Sequence, residues 1–70
     1  MSWFNRALEL CGDAETREYF RALYWARAHK TAAARHSTAL RAAALREALT
    51  TEQADRAARA LDLRDQSRRR

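Results

Sequence analysis

The sequence predicts an all-α fold, and three observations carry that reading. The 70 residues contain no Val, Ile or Pro and a single glycine, Gly12. β-Branched residues favour strands, so their absence argues against a sheet. Ala, Leu, Arg and Glu dominate instead, and these are among the strongest intrinsic helix formers.

Residues 2–11 read as a short N-terminal helix. Ser2 is placed to cap it, and Phe4, Ala7, Leu8 and Cys11 recur at helical spacing. Gly12 suits a left-handed closure, and Asp13 suits the N-cap of the next helix. Trp3 and Phe4 could alternatively anchor in a lipid headgroup layer. Six aromatics within the first 25 residues fit a packed cluster better, and this helix has one basic residue, Arg6.

From Asp13 to Leu49 there is neither Pro nor Gly, and the stretch reads as one long helix, about 54 Å at 1.5 Å per residue. Phe20, Leu23 and Tyr24 share a face by i, i+3, i+4 spacing. The same stripe then turns polar and basic through Arg27, Lys30 and Arg41 before Ala44, Leu45, Ala48 and Leu49 restore it. The helix is thus expected to be continuous with an exposed middle. The alternative is a break near His36, Ser37 and Thr38.

After Leu49 a final helix is expected over residues 51–65, opened by a capping box of Thr50 and Gln53. Its face of Ala54, Ala57, Ala58 and Leu61 should lie antiparallel on Ala42, Ala44, Leu45, Ala48 and Leu49. Residues 1–66 form one domain in this reading, and the basic tail 67–70 should fray. By length, neither flanking helix covers the aromatic segment, so Phe20, Leu23, Tyr24 and Trp25 are expected to form an exposed patch. A homodimeric helical bundle is the economical way to cover it. Seventeen of the 33 hydrophobic residues are alanines, so a chain of this size has little core of its own, ~3–5 kcal/mol.

Charge indicates a class of partner. The formal net charge is +5, and the span between Glu18 and Glu47 holds Arg21, Arg27, Lys30, Arg35, Arg41 and Arg46 with no acid. Arg27, Lys30, Arg35 and Arg41 are therefore the candidate partner-binding residues, directed at an acidic protein surface. Nucleic acid is the alternative partner, and a plain solvated face is the third reading.

Catalysis finds little support. His29 and His36, seven residues apart on about the same helical face, fall short of the three or four ligands of a zinc site. Cys11 has no base marked out beside it and reads as a small buried apolar residue. A lone cysteine, no membrane-length apolar run and no secretory pattern at the N-terminus give a soluble cytoplasmic protein as the expectation. No cofactor or metal is expected.

Thr31–Arg41, with its Thr-Ala-Ala-Ala start, resembles the helix-turn-helix opening of LysR-type regulators. It lacks the three or four turn residues which that motif needs between its helices. In size, Arg and Ala content, scarcity of glycine and aromatic clustering, the whole chain is similar to small phage-encoded host-takeover proteins of the anti-quorum-sensing and anti-CRISPR type. That resemblance implies a non-enzymatic inhibitor acting in the bacterial host cell. Its target would be a bacterial regulatory protein such as a LuxR-type quorum-sensing receptor. The rival function is that of a small basic nucleic-acid-binding transcriptional regulator.

Overall fold

A computed structural model describes residues 2–68, and these form four α-helices: α1 Trp3–Cys11, α2 Ala14–Ala28, α3 Ala32–Glu47 and α4 Thr51–Arg68. No strand occurs among the described residues. The fold class matches the composition. The long helix does not form.

α1 begins as its residues suggest. The Ser2 hydroxyl accepts from the Asn5 N–H at 3.4 Å, and Ala7 and Cys11 are buried one turn apart. Gly12 has φ +87° and ψ −73°, and the Asp13 N–H donates to the Cys11 carbonyl at 3.2 Å. This is a γ-turn rather than the left-handed helical closure expected. A γ-turn reverses the chain within three residues, so α1 and α2 follow each other with only Gly12 and Asp13 between them. The positive φ is what demands glycine there. Asp13 caps α2 as expected, accepting from the Thr16 N–H at 2.7 Å.

The expected helix over 13–49 breaks at residues 29–31, and neither sequence alternative placed the break there. His29 is extended, with φ −60° and ψ 144°, and Thr31 is the N-cap of α3, accepting from the Ala34 N–H at 3.1 Å. Ser37 and Thr38, the anticipated break point, remain helical. Thr38 satisfies its hydroxyl within the helix by donating to the Ala34 carbonyl at 2.8 Å, the back-bond open to Thr in helix interiors. Folding α3 back onto α2 buries Ala22 and Ala42. A continuous helix would leave both in water.

α3 closes with tight i→i+3 bonds from the Ala48 N–H to Leu45 and from the Leu49 N–H to Arg46. The capping box of α4 forms as the sequence suggests. The Gln53 N–H donates to the Thr50 hydroxyl at 3.1 Å, and the Gln53 side-chain oxygen accepts from the Thr50 N–H at 2.9 Å. α4 runs three residues further than expected, so Ser67 and Arg68 are helical rather than frayed. Met1, Arg69 and Arg70, also part of the sequence reading, lie outside the described residues.

Packing corrects the expected pairing of the last two helices. α4 lies against α1 and α2, not antiparallel along α3. Ala7 and Cys11 of α1, Phe20 of α2, and Ala57, Ala60 and Leu61 of α4 form the core. Ala58 faces water and Ala60 takes its place. Ala44 of α3 and Ala48 just past its end are exposed, while Ala42 of α3 and Leu49 in the turn that follows are buried. Four rings from α1 and α2 (Trp3, Phe4, Phe20 and Tyr24) meet edge-on or tilted at centroid distances of 5.5–6.4 Å. Such pairs contribute ~0.5–1.5 kcal/mol each beyond area burial. Arg64 of α4 lays its guanidinium over the Tyr24 ring at 5.4 Å and closes the cluster. The first-helix aromatics are therefore spent on the interior, as the clustered reading expected.

Candidate interaction groove

α2 packs against all three other helices, and helical periodicity divides its side chains between two jobs. Thr16, Phe20, Leu23 and Tyr24 turn to α1 and α4. Ala14, Glu18, Arg21, Ala22, Trp25 and His29 turn the other way and, with Thr38 and Arg41 of α3, line an open groove of about 600 Å³. Of its two alanines, Ala22 is buried and Ala14 exposed.

Trp25 dominates this groove. It is 42% exposed, yet two rings hold its indole: Tyr24 edge-on at 5.0 Å and His29 tilted at 4.9 Å. Arg41 reaches across from α3 to pair with Glu18. Arg21 stands one turn before Trp25, is exposed, and has no acidic partner among the described residues.

The residues singled out from sequence separate in space. Phe20 is fully buried, so it cannot serve as a surface patch, and Leu23 and Tyr24 are half-buried against the same core. The expectation failed because it measured coverage along one straight helix, whereas α1 and α4 together cover this face. Trp25 alone remains open. Among the basic residues, Arg27 and Lys30 are exposed near the α2–α3 turn, without ion pairs among the described residues. Arg35 instead donates to the His29 carbonyl at 2.7 Å. Arg41 is on the groove but already neutralised by Glu18, a carboxylate that spacing along one helix could not reveal. His29 and His36 do not share a helix, and His36 is exposed on α3. Among the described residues no cluster of His, Cys, Asp and Glu side chains could hold a metal ion.

The acid-free span has a structural explanation as well. Each interhelix turn places an arginine on a carbonyl at or just past a helix end. Arg17 donates to Gly12 at 2.7 Å, Arg35 to His29 at 2.7 Å and Arg46 to Leu49 at 3.3 Å. Basic side chains there satisfy orphan carbonyls and complement the negative end of the helix dipole. A chain with one glycine and no proline closes its helices this way. Three of its 14 basic residues are used in this way.

Asp13 ties the first turn to α4. Besides the Thr16 N–H, it accepts from Gln53 Nε2 at 3.3 Å and Arg56 Nη2 at 3.2 Å. Its carboxyl is held down from 3.8 to about 2, first by Thr16, whose N–H donates to it, then by Gln53 and Arg56. A carboxylate with a lowered folded-state pKa stabilises above its unfolded value and loses that contribution as pH falls. Stability is therefore expected to drop between about pH 4 and pH 2, and Asp13→Asn should flatten that limb. Urea midpoints across the window check this, and an unchanged acid limb in the variant would refute it. Cys11, by contrast, is buried, which pushes its thiol above the ordinary range against the pull of Arg17. A thiol so placed is a poor nucleophile.

No helix among the described residues is long and apolar enough to cross a membrane. Comparison with protein-family models, with curated proteins and with solved structures finds no match to this chain.

Proposed function

We propose that this chain is a non-enzymatic helical interaction protein that binds and modulates another protein through the face shared by α2 and α3. The observation that supports it is the exposed, ring-braced Trp25 in an open groove beside Arg21, which has no acidic partner among the described residues. Trp and Arg are the residues most enriched among those that dominate binding energy at interfaces. Arg21 and Arg41 in the groove, with Arg27 and Lys30 exposed elsewhere on α2 and the turn that follows it, favour an acidic partner surface. The likeness to small phage-encoded host-takeover proteins adds a setting: inhibition of a bacterial regulatory protein, of which a LuxR-type receptor is one example, in the cytoplasm. The homodimer read from the aromatic segment stays a proposal: Phe20 is engaged within the chain, and Trp25 is the ring of that segment left open to a second copy.

Arg27 and Lys30 also favour a second reading, binding to nucleic acid. Affinity capture from a nuclease-treated bacterial lysate, repeated over a salt series, separates the two. The protein-binding reading expects one stoichiometric protein to remain after nuclease. Loss of every partner on nuclease treatment, with the steep salt dependence of counterion release, would overturn it.

A further inference from the structure

We infer that the α2–α3 groove receives an acidic amphipathic helix of the partner, and that Glu18 is an internal stand-in for the partner's carboxylate. This inference rests on the interaction reading above and names its site and ligand chemistry.

The shape argues for a helix. The lining runs along α2 from Ala14 to Trp25, about 16 Å at 1.5 Å per residue or roughly three helical turns, and continues to His29 in the turn that follows. Laying an apolar helix face into such a trough is a recurrent mode of peptide recognition. Trp25 offers the apolar anchor point. Tyr24 and His29 already fix its indole, so little rotamer freedom is lost when a Leu or Phe of the ligand packs onto it.

The charges give the ligand its sign. Two guanidinium groups, Arg21 and Arg41, line the groove against one carboxylate, Glu18. Arg21 and Trp25 are four residues apart, so a ligand helix can place a carboxylate and an apolar side chain one turn apart to meet both. Arg41 is occupied by Glu18, but the pair is open to water, with side chains 64% and 46% exposed. Exposed pairs of this kind are weak, and an incoming carboxylate can take the Glu18 position on Arg41. Two guanidinium groups against one carboxylate leave a single net positive charge in the groove, too little for a phosphate backbone that gains affinity from many cation contacts, and this is why an acidic helix is preferred to nucleic acid.

The test uses the full chain and a synthetic peptide of about 15 residues with Leu and Phe on one face and Glu on the other. A counterpart with Gln for every Glu and a short DNA duplex serve as comparisons. The indole N–H resonance of Trp25 reports binding and is assigned with Trp25→Phe. The acidic peptide is expected to shift that resonance, and the Gln peptide to shift it far less. Arg21→Glu should weaken binding tenfold or more. Glu18→Gln should strengthen it several-fold, by freeing Arg41. Arg21 and Glu18 are exposed or half-exposed, and circular dichroism verifies that each variant keeps its helix content.

No shift at about 1 mM acidic peptide, equal response to the Gln peptide, or no gain from Glu18→Gln each overturns the inference. So does a Trp25 shift produced by DNA alone. A shift that grows with protein concentration in the absence of peptide would assign the groove to a second copy. If the lysate experiment retains its protein partner while Arg21→Glu changes nothing, the groove assignment fails and the interaction reading stands. If nuclease removes every partner, the interaction reading itself has failed.

Discussion

Phe20→Ala is expected to abolish cooperative unfolding and leave a largely disordered chain at room temperature. Phe20 is fully buried and lies where α1, α2 and α4 meet. Truncating a buried Phe removes ~3–5 kcal/mol, which equals the entire stability a core of this size supplies, ~3–5 kcal/mol. Trp25→Ala removes an even larger side chain from the same helix, yet Trp25 is 42% exposed and outside the core. It should leave a cooperative melt. Thermal scans by circular dichroism compare the two. A Phe20→Ala variant melting within a few degrees of wild type would refute the core as described.

The second large effect comes from adding bulk. Ala57 is fully buried on α4 against α1, and Ala57→Leu should destabilise by ~1–3 kcal/mol as the helices are forced apart. Ala58→Leu, one residue along, points into solvent and should stay within ~0.5 kcal/mol of wild type. Urea midpoints of this pair check the facing of α4 directly, because spacing alone assigned both alanines to one apolar face. Equal effects at the two positions would mean that the helix is rotated from its described orientation.

That pair also shows what could be read from the residues and what could not. Local chemistry was legible. Ser2, Asp13 and the Thr50–Gln53 box cap helices because a short polar side chain at the right offset satisfies nearby N–H groups whatever the rest of the fold does. The facing of alanine-rich helices was not legible, since alanine looks equally apolar on every side and gives α3 and α4 almost no directional signal. The break at His29–Thr31 was missed for a related reason. Its marker, Thr31, is a weak cap taken alone, and its closing contact is Arg35 on the His29 carbonyl, an interaction formed by a residue inside the next helix. The basic residues were grouped by the absence of nearby acids along one helix. Glu18 lies 23 positions from Arg41, and only the hairpin brings them together. Of the groove, Trp25 and Arg41 were recognised. Arg21, His29 and Glu18 were passed over, although their spacing from Trp25 places them on its own face.

α3 contributes nothing to the central core and leans almost wholly on α2. In the language of cooperative units, the chain is then a three-helix block with one detachable limb. Swinging that limb away at residues 29–31 and 48–50 breaks the Glu18–Arg41 pair and exposes Ala42, but leaves the aromatic cluster intact. Its amides therefore exchange with solvent hydrogen through an opening less costly than global unfolding. The same opening splits the groove, because Thr38 and Arg41 leave with α3 while Arg21 and Trp25 stay. A ligand that touches both walls draws its affinity partly from closing the limb, so occupancy of the groove and protection of α3 are two readings of one equilibrium.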